Sequence, residues 1–517
     1  MLRYFLSFAL TLTMTVALPS ALQAAEGEDW LELTSENFVL YTDADRERAE
    51  KLIRNLERYH ITVGTLVGLD FSVMDTPPLR VFAYSRQRDY VRRYDMRGTG
   101  GFYTTQAEGP VTILSLEDGD KAWELKGQQV LYHEYTHHLL HKYSPYEYPR
   151  WYDEGFAEYM ATIEFEDDIA IIGNPPIHRL PALKRAGDWL SIRELVSSRG
   201  EYLGYMGTGL TRDPDRHRYG GMHQYAQGWL LTHFLYNSET YRDGLAPYLS
   251  AINEPGADEE AAFEEAFGVD YWDMGRDVSE YWYKYELPLQ SVDLGEIMPS
   301  VDVGIRELGP VEAIAIDYEG RLLSGRLDGD EDAAVIAFKA MIDAGLRETR
   351  MREYMARIAI SEQDWDTAND QLEAILDARP SHAPALTLLA ELMRATTDAE
   401  SLDAATIKNM RKTCIRAIKA NPTYVPALLA FAKLDLIEGQ TVGSMTLKIL
   451  DSIAFLAPDL ESGGSLRARL LAKAGRIDEA RAIVQKMIDW SHSRSARREY
   501  EDLLETVEAM AAETEQG

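Results

Sequence analysis

The chain has 517 residues, is 45% hydrophobic and carries a formal charge of −32 from 53 basic and 85 acidic side chains. The length exceeds what one core usually serves, so two or three soluble domains are expected. The acidity argues against nucleic acid and anionic membrane as partners, and Cys414, the only cysteine, rules out an intrachain disulfide.

Residues 1–24 read as an export signal. Arg3 makes a short basic start, Phe5 to Leu18 is an apolar run too short for a membrane span, and Ala21-Leu22-Gln23-Ala24 offers a cleavage site. No cysteine follows the run, so a lipid anchor is not expected, and no later stretch suits a bilayer. A mature chain from about Ala25, periplasmic or secreted, is the expectation.

From Asp29 to Leu116 the pattern is mixed. Trp30 to Tyr41 alternates as a strand, Ala44 to Leu66 has helical periodicity, and Leu79 to Tyr84 alternates again. Gly101 to Tyr103 and Val111 to Leu116 read as a hairpin leading into the next helix. Residues 111–116 are either an edge strand that holds an extended substrate by backbone pairing or an ordinary hairpin strand.

The most informative stretch runs from Val130 to Tyr159. It contains His133-Glu134-Tyr135-Thr136-His137, and on a helix two histidines four positions apart share one face, so both imidazoles reach one metal ion. Glu134 then lies beside the ion, placed to take a proton from its water. An apolar set at Val130, Leu131, Tyr135, Leu139 and Leu140 gives the helix a core side. Leu140 and Tyr143 exclude a third-histidine pattern, which needs glycine and histidine there. Downstream, Trp151-Tyr152-Asp153-Glu154-Gly155-Phe156-Ala157-Glu158 supplies acidic candidates for a third ligand.

These residues resemble the glutamate-liganded zinc peptidases, the gluzincins of the peptidase MA-like family. Their second helix is written W-x-x-E-G-x-A-E-Y, which Trp151, Glu154, Gly155, Ala157, Glu158 and Tyr159 match. The resemblance implies one zinc per chain held by His133, His137 and Glu154. Glu158, one turn later, is the rival ligand or a supporting carboxylate.

The chain then stays mostly helical to Tyr285, interrupted by the glycine- and arginine-rich stretch Leu203 to Gly221, which reads as a surface loop. The following helix, Met222 to Leu235, carries Tyr-Ala-Gln-Gly-Trp at 225–229, again similar to peptidase MA-like sequences. Hydrolysis by such a site needs a donor to the developing oxyanion. Tyr225 is the first choice and His223 the second.

Between Leu287 and Leu323, prolines punctuate the run, while Val301 to Ile305 and Ala313 to Ile316 read as short strands. Beyond 330 the pattern is helical and repetitive. The motif P-[ST]-x-x-P-A-L occurs at Pro380–Leu386 and Pro422–Leu428, and Pro458 follows. Helix pairs at such a period resemble tetratricopeptide (TPR) repeats, with a concave face suited to a peptide or protein partner. Cys414 reads as core, and Glu501 to Gly517 as a fraying end.

The expected architecture is an α+β zincin-like catalytic domain over 25–286, a short β-containing linker over 287–329, and an all-α TPR-like solenoid over 330–517. The expected function is zinc-dependent peptide hydrolysis with Glu134 as general base and the repeats docking a substrate or partner. No G-x-M-E-N signature for holding a substrate amine precedes the metal helix, which points to an endopeptidase. The alternative is a slow or inactive zincin domain serving with the repeats as an envelope scaffold. On the docking reading, deleting 330–517 spares cleavage of a short peptide.

Overall fold

The computed structural model describes residues 30–516 apart from 74–76, 118–125, 185–188, 198–213, 285–286, 296–300, 398–401 and 492–493. The expected export signal lies outside the described residues. Among the described residues no helix is long and apolar enough to cross a membrane.

An N-terminal α/β region with a mixed sheet is followed by an all-helical, TPR-like solenoid. The expected strand over Trp30 to Tyr41 is two strands, β1 (Trp30–Thr34) and β2 (Phe38–Thr42), paired antiparallel. A turn at Ser35–Asn37 splits them, and Asn37 is held there by Glu57, which accepts from its backbone N–H and its side-chain amide at 2.8 Å. Helix α1 (Arg46–Val67) follows, started by the Asp45 side chain and stopped by Gly68 at φ 68°. Next come β3 (Leu79–Tyr84), helix α2 (Gln87–Tyr94), and the hairpin of β4 (Gly101–Gln106) and β5 (Gly109–Ser115).

The sheet order is β4-β5-β3-β2-β1 and then a late strand, Gly304–Leu308, beside β1. Strands β2, β3 and β5 run parallel, and β5 pairs with β3 on one side and β4 on the other. Residues 111–116 therefore cannot hold a substrate by strand addition, because the hydrogen-bonding groups of β5 already have sheet partners. Among the described residues, the free edge on that side is β4. A second, three-stranded sheet joins β6 (Glu164–Glu166), β7 (Ile169–Ile172) and β8 (Gln290–Asp293).

The main sheet is covered on both faces, as parallel strands require. Along β3, Leu79, Val81 and Ala83 face the core shared with α1 and the helix that carries His133 and His137, while Phe82 and Tyr84 face a second core. That second core is built from the helices Pro310–Leu323, Glu331–Asp343 and Glu348–Ser361. Ala313 to Ile316 lie in a helix, not a strand, because Pro310 sits in the first turn of a helix that packs on the sheet. The stretch 287–329 holds β elements as expected, β8 in the small sheet and Gly304–Leu308 in the main sheet, before the helix Pro310–Leu323.

The remaining helices pack consecutively to the end. The P-[ST]-x-x-P-A-L motifs form the turns from Trp365–Ala378 into Ala383–Thr396 and from Ala404–Ala420 into Val425–Lys433, with Pro384 and Pro426 in the first turn of the helix that follows. Cys414 is buried in the helix Ala404–Ala420, and burial pushes its thiol up to about 12. The acidic end does not fray from its first residue as expected: Arg494–Gln516 is a helix that buries Tyr500, Leu503 and Val507.

Because the first solenoid helices cover the sheet, deleting 330–517 removes Ala334, Phe338, Met341, Met351, Tyr354 and Met355 from a shared core. The truncated chain is expected to be insoluble or to unfold without cooperativity, and a thermal melt of residues 25–329 checks this.

Candidate metal centre

Helix α3 (Gly127–Tyr143) begins hard against the sheet: a Cβ at Gly127 would lie 2.2 Å from the Ser115 carbonyl oxygen. Its core side is the expected one, with Leu131, Tyr135, Leu139 and Leu140 buried and Thr136 and Tyr132 bonded to the Tyr59 hydroxyl of α1. His133, Glu134, His137 and His138 form the half-buried strip between them. The free edge of the main sheet runs alongside, where the Tyr103 hydroxyl of β4 meets His138 Nδ1 at 2.9 Å.

Helix α4 (Arg150–Ala161) is buried from Trp151 to its end, yet carries Asp153, Glu154 and Glu158. Buried carboxylates cost stability unless each finds a charged or hydrogen-bonding partner, so their partners define the site. Helix α5 (Pro214–Asn237) crosses α4 at backbone contact. A Cβ at Gly155 would lie 2.3 Å from the Gly228 carbonyl oxygen, and one at Gly228 would lie 2.7 Å from that of Trp151. Thus the glycines of the E-G and Q-G-W motifs are a matched pair, and their contact brings Tyr225 beside Glu154.

Three ligand atoms converge. The Nε2 atoms of His133 and His137 lie 3.2 Å apart, and each is 3.4 Å from Glu154 Oε2. Ligands at about 2.05 Å on a tetrahedral ion stand about 3.3 Å apart, so this triangle has the size that zinc requires. The other nitrogens face carboxylates. His137 Nδ1 lies 3.0 Å from Asp153, and His133 Nδ1 lies 3.6 Å from Glu158. Carboxylates so placed would orient the rings and leave each Nε2 open to an ion.

The electrostatics fit a cation. Burial lowers the affinity of His133 and His137 for protons, but the carboxylates outweigh it: Glu154 and Glu158 raise His133, and Asp153 and Glu154 raise His137 well above the ordinary imidazole value. In Glu158, burial acts upward, yet His178, His133 and Arg179 hold the carboxyl down to about 2. A metal ion held there would therefore compete with protons for the same nitrogens. Since the metal-bound form carries fewer protons, zinc affinity should fall as pH drops, by about ten- to a hundredfold per unit, starting above the usual histidine range. Chelator competition across the neutral range measures it.

The sequence-derived candidates divide as follows. His133, His137 and Glu154 come together, and Glu134 lies on the same half-buried strip. Glu158 is set back, bonded to Arg179 Nε and Nη2 at 2.9 and 2.6 Å and 3.3 Å from His178, so it supports His133. Tyr225 is 6.2 Å from His133 ring to ring and hydrogen-bonds Glu154, with the Arg179 guanidinium 4.4 Å above its ring. Burial first, then the Glu154 charge, hold its phenol well above the ordinary value. His223 lies in α5, but its side chain falls outside the described residues, as do 203–213 of the expected loop; 214–221 are the first turns of α5. The sequence did not single out the roles of Asp153 beside His137 or of Arg179 on Glu158. Of these, Asp153, next to a candidate ligand in sequence, carried a signal that could have been found.

No protein-family description matches the chain. It is 22% identical over 165 residues to the uncharacterized protein YhcO of Bacillus subtilis (strain 168), a match covering 30% of this chain and 49% of that one. The chain thus spans about half the length of the curated relative it matches. Among solved structures, it is similar to TTC0263, a thermophilic TPR protein of Thermus thermophilus, at 19% identity over 37% of this chain and 95% of that one. It is also similar to yeast Tom70 at 12% identity, over 64% of this chain and 72% of that one. Both superpose at a TM-score of 0.31, which does not define a shared fold.

Proposed function

We propose that His133, His137 and Glu154 hold one zinc ion per chain and that the N-terminal half hydrolyses peptide bonds. The observation that supports this most is the triangle of ligand atoms with sides of 3.2, 3.4 and 3.4 Å. Bound zinc supplies Lewis acidity to the attacking water and the scissile carbonyl. Glu134 takes the proton of that water and passes it to the leaving amine. Tyr225, turned from Glu154, donates to the carbonyl oxygen as charge develops there. Arg179 and His178 hold Glu158, which holds His133, and the free edge of β4 offers backbone groups to an extended substrate. With the basic start and apolar run of residues 3–18, the enzyme acts outside the cytoplasm as an endopeptidase.

The second reading, an interaction scaffold with slow or absent turnover, draws on the TPR-like solenoid, a form that binds proteins. Stripping metal with a chelator and restoring zinc separates the two. Casein or mixed-peptide cleavage that disappears and returns supports the enzyme; zinc binding without cleavage in any state supports the scaffold.

A further inference from the structure

One turn beyond His137, α3 carries His141, whose ring nitrogens both lie against carboxylates. Its Nε2 is 3.0 Å from Asp153 Oδ1 and its Nδ1 is 2.7 Å from Asp459 Oδ1. Asp153 places its second oxygen on His137 Nδ1, at 3.0 Å. Asp459 belongs to the other half of the chain: it sits in the turn after Pro458, between the helices Ser444–Leu456 and Glu461–Lys473, and the buried Leu460 anchors that turn. A continuous line of contacts therefore runs from the solenoid to the outer nitrogen of a candidate ligand.

We infer that Asp459 is a positioning residue for the metal site, acting through His141 and Asp153 on the orientation of His137. It rests on the reading of His133, His137 and Glu154 as a metal centre. His137, His141 and Asp153 also stand close enough to share an ion of their own. The contacts argue otherwise, because Asp153 already places one oxygen 3.0 Å from each ring and Asp459 takes the remaining nitrogen of His141. Carboxylates only accept, so both His141 nitrogens donate and the ring is locked between them. A free Asp153 would swing; one held by a locked ring presents a fixed oxygen to His137.

The halves are fastened around this line. Arg150 Nη1 donates to the Asp489 carbonyl at 3.2 Å, Lys486 pairs with Glu147 at 2.7 Å, and Glu108 of the β4–β5 turn pairs with Arg357. Asp459 thus has a set position relative to α3. The solenoid is a structural part of the site, and a partner that shifts the Pro458 turn changes metal affinity.

The test is zinc affinity by chelator competition on the full-length mature protein, for the wild type, Asp459→Ala, His141→Gln, the double variant, the near-isosteric Asp459→Asn and Lys486→Ala. Each variant's fold is checked by its melting curve. Supporting metal carboxylates are worth about ten- to a hundredfold in affinity, so Asp459→Ala and His141→Gln should each weaken zinc about tenfold. The double variant should fall no further, since both break one line. Asp459→Asn should lose about threefold, keeping an acceptor but not the charge, and it decides the matter should Asp459→Ala not fold. Lys486→Ala, which cuts a different contact between the halves, should match the wild type. Unchanged affinity in the Asp459 variants, additive losses, or an equal loss in Lys486→Ala would overturn the inference. A wild type that binds no zinc would instead overturn the metal centre itself.

Discussion

Glu134→Gln is expected to lower peptide turnover by on the order of 10²–10⁴-fold while leaving the zinc content unchanged. The amide is nearly isosteric and Glu134 is not one of the converging ligand atoms, so the ion keeps its three ligands. What is lost is the group that accepts a proton from water. Neighbouring carboxylates do not replace it, because Asp153, Glu154 and Glu158 are each committed to imidazole or guanidinium partners. Steady-state cleavage measured beside elemental analysis reads both quantities on one sample. Normal turnover in the variant would remove Glu134 from the base role.

The second large effect separates two carboxylates one turn apart. Glu154→Ala should lose zinc on dialysis, since it removes one of three ligands and leaves two imidazoles on a single helix. Glu158→Ala should retain zinc with affinity weakened about ten- to a hundredfold, because Glu158 only orients His133. The contacts explain the difference: Glu154 Oε2 is equidistant from the two Nε2 atoms, whereas Glu158 approaches His133 from the Nδ1 side. The reverse result would move the third ligand to Glu158.

The site was legible in the sequence where its chemistry is local. Two histidines on one helical face follow from spacing, the choice of Glu154 among the nearby acids came from the resemblance, and the contact of Gly155 with Gly228 makes physical sense of the E-G and Q-G-W motifs. What was not legible depends on contacts far apart in the chain. Asp459 meets His141 across 318 positions, and no local pattern announces it. Residues 111–116 carry a strand pattern, but whether that strand is an edge depends on β3 and β4 pairing with both its sides. Ala313 to Ile316 illustrate a different limit. A short apolar run suits a buried strand or a buried helix equally, and only the sheet waiting to be covered decided it. The turn that divides β1 from β2 is likewise fixed by Glu57, which sits on another element.

The same long-range contacts change the view of the helical half. Its first helices complete the core behind the sheet, and its Pro458 turn reaches the candidate metal centre, so it is bound into the N-terminal half rather than appended to it.

Zinc content tests the proposed metal centre most directly, measured by elemental analysis on the purified mature protein and on the His133→Ala/His137→Ala variant after dialysis with equimolar zinc. One zinc per chain in the wild type and none in the variant is the expected result. A wild type without zinc, or a variant that holds as much, would contradict the metal centre and the peptidase built on it.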